Sequence, residues 1–287
     1  MILITGASGT VGRLTARTLM RSGHPVRLLV RDAVRAPAPE PGAEAQVAIG
    51  DFDAPETLRR AMTGVRAVLV ITSDPTRPEQ DAHLVRAAAD TGVRHLVKLS
   101  ALAATQARAR DLVTRWQRES EDRIRASGSD WTLLRPRAFM TNTLAWAAEV
   151  KATDTVRHWP GDVPSACVDP ADVAAVAARV LTEDGHAGRA YPLTGPEALT
   201  AREQTRILSG ALGRPLSFAE RSREETLAML HRRYPEPVAQ ALVDRADGRS
   251  ADAKGGVADT VARLLGRPAG TYAAWIERSL RAFARGT

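Results

Sequence analysis

A glycine-rich turn directly after a short apolar run is the feature that most limits how this chain can fold. Residues 2–4 are typical of a buried strand, a helix is predicted to begin near Val11, and glycines stand at positions 6, 9 and 12 between them. In a strand–turn–helix unit such glycines allow a tight turn, contact between a phosphate and the backbone, and close packing of the helix on the strand. Because a helix N-terminus offers free N–H groups and partial positive charge, the turn predicts a site for a dinucleotide pyrophosphate.

The end of the second strand bears on which dinucleotide is bound. PVRLLV at 25–30 predicts this strand, which completes a strand–helix–strand unit. An acidic residue at its end would bind the ribose 2′-hydroxyl of NAD(H), whereas a guanidinium suits the 2′-phosphate of NADP(H). The position holds Arg31, with Arg35 one helical turn further on, which favours NADP(H). Asp32 leaves NAD(H) open, since a small shift of the loop would offer its carboxylate to the ribose.

Four further apolar runs, at 45–52, 67–73, 95–102 and 131–136, alternate with helical segments. This alternation predicts the α/β class, with a Rossmann-type doubly wound parallel sheet. Asp53 and Glu56 predict a capping box at the start of one of the helices. Ligands of such sheets bind at the carboxyl ends of the strands. The candidates at that edge are Asp51 and Phe52, placed to touch an adenine ring, and Thr72, Ser73 and Ser100.

The second half of the chain is predicted to be mostly helical. Residues 1–150 are expected to form the NADP-binding Rossmann domain, with a strand and a helix returned from about 151–195. Residues 196–287 are expected to form a smaller substrate-binding region, in which Thr200 with Glu203 and Ser222 with Glu225 predict two capped helices. The stretch 247–256 is predicted to be a mobile loop.

Composition argues against several classes of protein. The net charge is +7, but lysine fills only three of the 40 basic positions, and the arginines alternate with acidic residues as on solvated helices. We therefore expect no nucleic-acid partner.

Cys167 is the single cysteine and the six histidines lack zinc-ligand spacing, so we expect neither an internal disulfide nor a metal. With a strand starting at residue 2 and no bilayer-length apolar run, we expect no signal peptide and no membrane partner, but a cytoplasmic monomer or homodimer.

Motifs of other chemistries are missing from the sequence. Neither the P-loop spacing nor a G-x-S-x-G elbow occurs, which leaves a nicotinamide dinucleotide as the source of chemistry. The Tyr–Lys pair of short-chain dehydrogenases is missing as well, because all three tyrosines lie beyond residue 190 and residues 99–150 contain no lysine. The catalytic candidates that remain are Ser100, Thr72 and Gln117, the last on a helix predicted over 109–127. An amide orients or hydrogen-bonds a substrate but is no acid at neutral pH.

Motifs spaced along the whole chain carry a family resemblance. They are TGASGTVG at 5–12, Arg31, GDF at 50–52, Ser100, the pattern from Glu121 to Asn142, VDPADVAAVAA at 168–178 and LTGPEALT at 193–200. Together they resemble the NmrA-like atypical short-chain dehydrogenases, and most of all their bacterial NAD(P)H:quinone reductases. In one respect the chain departs from relatives, which often carry histidine where Gln117 stands here. If that histidine assists protonation, this protein uses another donor or does not reduce by that route.

The resemblance implies a set of cofactor contacts and an activity. It implies that the pyrophosphate is held by Gly6, Ser8, Gly9, Thr10, Val11 and Gly12, the 2′-phosphate by Arg31 and the adenine by Asp51 and Phe52, with Thr72, Ser73 and Ser100 beside the nicotinamide and Phe139 and Asn142 closing over it. The expected activity is NADPH-dependent reduction of a quinone-like or conjugated carbonyl small molecule, such as one of secondary metabolism. Two alternatives stay open: an NADP(H) sensor without turnover that binds a protein partner, and a non-redox lyase or isomerase.

Overall fold

The computed structural model describes residues 1–246 and 256–285. The strands in this part of the chain are β1 (Ile2–Ile4), β2 (Val26–Val30), β3 (Ala45–Ile49), β4 (Ala67–Val70), β5 (His95–Leu99), β6 (Asp130–Pro136), β7 (Thr155–His158), β8 (Arg189–Leu193) and β9 (Ser217–Glu220). Seven of them form one sheet in the order β3-β2-β1-β4-β5-β6-β8, and every pairing from β3 to β6 is parallel. The predicted parallel sheet is confirmed, and three of the six predicted strands, β3, β4 and β5, end three residues earlier than their apolar runs.

The strand order reverses at β1. Residue Ile4 pairs with Leu28 of β2 on one side and with Leu69 of β4 on the other. Strands β2 and β3 therefore extend to one side and β4 to β6 to the other. In open α/β sheets the crevice at such a switch point, outside the carboxyl ends of the strands, is where ligands bind.

Helices cover both faces of this sheet. The α-helices of the described residues are α1 (Thr10–Arg21), α2 (Pro55–Met62), α3 (Glu79–Asp90), α4 (Leu112–Arg125), α5 (Ala147–Thr153), α6 (Pro170–Thr182), α7 (Ala201–Leu212), α8 (Arg223–His231), α9 (Glu236–Ala246), α10 (Thr260–Leu265) and α11 (Tyr272–Ser279). On one face Leu3, Val68 and Leu96 pack with Leu58 of α2 and Leu84 of α3. On the other face α1 packs against α6, which lies on β4, β5 and β6. The doubly wound α/β arrangement is thereby confirmed.

The chain divides into two compact units. The first comprises residues 1–104, 114–136 and 170–192 and holds the seven-stranded sheet, including α6 and β8 from the later part of the chain. The second comprises 105–113, 137–169 and 193–287. In the second unit β7 pairs in parallel with β9, and a core that includes Tyr272, Trp275 and Phe283 lies among its helices. Both predicted capping boxes, Thr200–Glu203 and Ser222–Glu225, are present at the starts of α7 and α8.

Two details bear on the sequence predictions. The predicted Asp53–Glu56 capping box is wrong, because α2 begins one residue later, with Ala54 at its N-cap and no side-chain cap. The Asp53 carboxylate instead accepts hydrogen bonds from Arg77 and Gln80. The loop predicted at 247–256 lies, apart from its last residue, outside the described residues. Within the described ranges no helix has the length and hydropathy needed to cross a bilayer.

Candidate functional site

The glycine turn is packed too tightly for side chains at two of its glycines. Gly6 has a φ of +58°, and a Cβ atom there would lie 3.0 Å from the Ile71 side chain. A Cβ atom on Gly12 would lie 2.3 Å from the carbonyl oxygen of Gly6, so only glycine lets α1 approach the loop this closely. Thr5 ties the loop to β4: its hydroxyl donates to the Leu69 carbonyl at 3.0 Å and accepts from the Ile71 N–H at 2.7 Å.

This geometry leaves the first turn of α1 open to an anion. The helix is capped by the backbone of Gly9, with no side-chain cap among the described residues, and the first backbone bond into the helix runs from Arg13 to Gly9. Ser8 and Thr10 are exposed at the turn, whereas Val11 is buried beneath it. A bare loop beside uncapped N–H groups fits a pyrophosphate, so the residues present are suited to hold a dinucleotide.

At the carboxyl end of β2 the structure separates the two charged candidates. Arg31 directly follows Val30, is exposed, and forms no ion pair within the described part of the chain. Asp32 caps the short 3₁₀ helix 33–35, since its Oδ1 accepts the Val34 N–H at 3.0 Å. A free guanidinium is thus available for an anion, while one oxygen of the neighbouring carboxylate is engaged by the turn.

The end of β3 is shaped by local hydrogen bonds. The Oδ1 atom of Asp51 accepts the Asp53 N–H at 3.0 Å, and the Asp51 N–H donates to the Thr57 hydroxyl at 3.0 Å. Phe52 packs against the core of the first unit, and its carbonyl oxygen lies 2.7 Å from His83 Nδ1. Both candidate adenine contacts are therefore fixed in place at the same edge as the glycine turn.

Thr72, just beyond β4, belongs to a buried polar network. Lys98 on β5 is fully buried, and its Nζ donates to the Thr72 hydroxyl at 2.7 Å. The Thr72 hydroxyl donates in turn to Asp81 Oδ1 at 2.9 Å, and Asp81 also accepts from Trp116 Nε1 at 2.7 Å and from the Ser120 hydroxyl at 2.8 Å. Burial lowers the pKa of Lys98, and the Asp81 carboxylate opposes that shift. The neighbouring candidate, Ser73, is exposed.

Ser100, just beyond β5, is held by a second buried carboxylate. Its hydroxyl donates to Glu121 Oε1 at 2.6 Å, and Glu121 is only 2% exposed. Arg135 binds both oxygens of that carboxylate, with Nε 2.8 Å from Oε1, and Arg125 donates to Oε2 at 2.9 Å. Burial opposes ionisation, but the hydrogen bonds from Arg135 and Ser100 outweigh it, so the pKa of Glu121 lies below its usual value.

Gln117 lies one helical turn before Glu121 on α4. It is 7% exposed, and its Oε1 atom is buried without a hydrogen-bond partner in the described structure. A buried polar atom without a partner costs about 1–3 kcal/mol. Because few such atoms occur in native proteins, the amide is a candidate for contact with a bound molecule.

The structure places the candidates in different parts of the molecule. The carboxyl edge of the first unit carries the glycine turn and the ends of β2 to β5, including Arg31, Asp51, Thr72 and Ser100. Phe139 and Asn142 belong to the second unit, where Phe139 precedes the 3₁₀ helix 140–146 and Asn142 donates its N–H to the Phe139 carbonyl at 3.0 Å.

Sequence reasoning missed the two buried carboxylates, Asp81 and Glu121, as parts of the site. One signal was available for Asp81: Lys98 stands in the middle of an apolar central strand, and a buried ammonium requires an acidic partner. Glu121 opens one of the motifs that carry the family resemblance, but the resemblance assigned it no role, and a glutamate on a helix rich in arginine is typical of an exposed face.

Comparisons with known proteins agree with this geometry. A family model described as NAD(P)H-binding matches residues 6–184. The chain is 49% identical to a (4-alkanoyl-5-oxo-2,5-dihydrofuran-3-yl)methyl phosphate reductase of Streptomyces griseus over 285 residues, which cover 99% of each protein. It is 36% identical to an NAD(P)H azoreductase of Xenophilus azovorans, again over 99% of each.

A solved structure extends the likeness to the whole backbone. The NADPH-dependent quinone oxidoreductase of Escherichia coli, solved with NADPH, superposes with a TM-score of 0.85 at 29% identity, covering 98% of this chain and all of that one. The resemblance to NmrA-like atypical short-chain dehydrogenases is confirmed by these matches. The chain belongs to the NAD(P)H-binding family and is an NAD(P)H-dependent oxidoreductase of the atypical short-chain dehydrogenase type.

Proposed function

We propose that this protein uses NADPH to reduce a conjugated carbonyl or quinone-like small molecule. The observation that carries the choice of NADPH is the exposed Arg31 at the end of β2, which has no ion pair in the described chain. When bound, the cofactor supplies a hydride. The glycine turn and α1 hold its pyrophosphate, Arg31 its 2′-phosphate, and Asp51 and Phe52 flank its adenine. Thr72, Ser73 and Ser100 line the nicotinamide side, Phe139 and Asn142 close over it, and Gln117 orients the substrate.

The similar reductase from Streptomyces griseus suggests which acceptors to test first. Its name describes an unsaturated lactone whose ring double bond is conjugated with both the lactone carbonyl and an alkanoyl group, and which carries a phosphate ester. A double bond activated by two carbonyls accepts hydride at the distal carbon and leaves a delocalised enolate. We propose that this chain reduces acceptors of that electronic type, with residues 196–287 as the substrate-binding region. We also propose that it works as a cytoplasmic monomer or homodimer.

A panel of acceptors tests the proposal. Purified protein and NADPH are mixed in turn with the phosphorylated lactone, a simple quinone and an azo dye, and oxidation of NADPH is followed by its absorbance. Turnover with the lactone or the quinone well above the background rate is expected. Tight binding of NADPH and NADP⁺ without turnover of any acceptor would contradict the proposal and favour the sensor. Product formed without net NADPH oxidation would favour a lyase or isomerase.

A further inference from the structure

The two buried networks fix the direction of the hydroxyl groups at the carboxyl ends of β4 and β5. Lys98 forms a buried ion pair with Asp81, with Nζ 3.4 Å from Oδ1, and an ammonium in such a pair has only donors. The Thr72 hydroxyl therefore accepts from Lys98 at 2.7 Å and gives its own proton to Asp81. Trp116 Nε1 and the Ser120 hydroxyl also donate to Asp81, which leaves this carboxylate as the acceptor for every neighbour. The proton of Thr72 therefore points into the protein.

The direction of the Ser100 hydroxyl proton is fixed by Glu121 and its two arginine partners. Arg135 and Arg125 carry only donors, so all the oxygen atoms they bind on Glu121 are acceptors. The 2.6 Å contact between the Ser100 hydroxyl and Glu121 Oε1 has the length of a charge-assisted O–H···O⁻ bond. Ser100 thus gives its proton to a carboxylate that two guanidiniums keep ionised.

We propose that Asp81 and Glu121 are positioning residues that turn Thr72 and Ser100 into hydrogen-bond acceptors toward the site, so that neither hydroxyl supplies a proton during reduction. The inference rests on the proposed function. It restricts the substrate class to acceptors whose reduced anion can take its proton from water.

The atom balance shows which acceptors qualify. Hydride adds to the distal carbon of the conjugated system, the π electrons move to the carbonyl oxygen, and the resulting enolate takes one proton from water. An enolate stabilised by two carbonyls, or a hydroquinone anion, is a weak base and tolerates this route. The alkoxide formed from an isolated ketone is about as basic as hydroxide and requires a positioned acid. The structure therefore favours doubly activated alkenes and quinones over simple ketones.

The direction of the Ser100 proton can be measured without turnover. The carboxyl carbon of Glu121 is titrated by NMR in the full chain, in Ser100→Ala and in the control Ser129→Ala, whose hydroxyl donates to the Val93 carbonyl instead. We expect the pKa of Glu121 to lie below its usual value in the wild type, to rise in Ser100→Ala and to stay unchanged in Ser129→Ala. A wild-type pKa above the usual value, or no rise in Ser100→Ala, would overturn the inference.

Kinetics supply the second measurement. A positioned general acid contributes about 10²–10⁴-fold to a rate. We expect Ser100→Ala and Thr72→Val each to lower kcat with a quinone by less than about tenfold, without changing the pH profile, and simple ketones to show no turnover with the wild type. A loss of 100-fold or more, or reduction of ketones at the rate of quinones, would contradict the inference. If no acceptor at all is reduced, the proposed function fails. In that case the titration of Glu121 alone decides whether the Ser100 proton points toward the carboxylate.

Discussion

Replacing Arg31 by alanine should weaken binding of NADPH far more than binding of NADH. The two cofactors differ by the 2′-phosphate, and Arg31 is exposed at the end of β2 with no ion pair in the described chain, so its removal leaves no partner unsatisfied. Hydrogen bonds to charged groups contribute about 1.5–3 kcal/mol. Since about 1.4 kcal/mol corresponds to a factor of ten, the affinity should fall by about 10- to 150-fold. Solvent exposure and salt screening place the loss near the lower end of this range.

Isothermal titration calorimetry with both cofactors measures the effect directly. We expect the Kd of NADPH to rise about tenfold or more in Arg31→Ala, and the Kd of NADH to change by less than about twofold. Arg94→Ala is the matched control, because Arg94 is also exposed but precedes β5, at the opposite edge of the sheet. Its substitution should leave both values unchanged. Raising the salt concentration should weaken NADPH binding more steeply in the wild type than in Arg31→Ala.

Equal weakening of both cofactors in Arg31→Ala would refute the phosphate assignment. It would mean that the guanidinium acts on a part common to both cofactors or on the shape of the loop. Asp32→Ala distinguishes the remaining alternative. If the Asp32 carboxylate binds a ribose hydroxyl, that variant should weaken NADH, whereas the turn-capping contact to Val34 predicts a change in stability alone.

Two further predictions concern the glycine turn and a half-buried histidine, His158. Gly12→Ala should lower stability by about 1–3 kcal/mol and weaken both cofactors, because its Cβ would overlap the Gly6 carbonyl. Gly210→Ala, in α7 with nothing within 4 Å, should instead raise the melting temperature slightly. Burial, aided by nearby Arg221, lowers the pKa of His158 from 6.5 to about 4. The unfolded chain therefore binds this proton first as pH falls, and urea unfolding should show up to about 3 kcal/mol of stability lost between pH 6.5 and 4, but less in His158→Gln.

The sheet could be predicted from sequence because its signals are local. Buried parallel strands are near-continuous apolar runs, and the runs that contain β1, β2, β4 and β5 are bounded by glycine, proline or polar residues. The glycine turn is local as well, so its place at the switch point followed once the strands were found. The pairing of β7 with β9 was not predictable in this way, since the two strands are about sixty residues apart and are short and half-exposed.

The details of the site depended on contacts between distant residues. Asp81, Lys98 and Trp116 meet only after α3, β5 and α4 have packed together, and none of their spacings indicates a network. The capping box at Asp53 failed for a different, local reason. Its neighbour Asp51 accepts the Asp53 N–H, and Thr57 donates to the carbonyls of residues 51 and 54, so the turn before α2 is closed without the Asp53 side chain.

The buried networks of Asp81 and Glu121 connect α4 to the sheet at a cost in free energy, because each buries charged groups. Replacing a buried ion pair with apolar residues of similar volume is often neutral or stabilising, so stability alone gives no reason for Lys98–Asp81 or Arg135–Glu121. Both networks end on a hydroxyl at the carboxyl edge, and each directs its proton inward. An edge arranged in this way offers oxygen lone pairs to a carboxamide or an enol and no acid to an alkoxide. If the protein reduces doubly activated acceptors, as proposed, the reaction requires neither a tyrosine donor on α4 nor an outward-pointing hydroxyl.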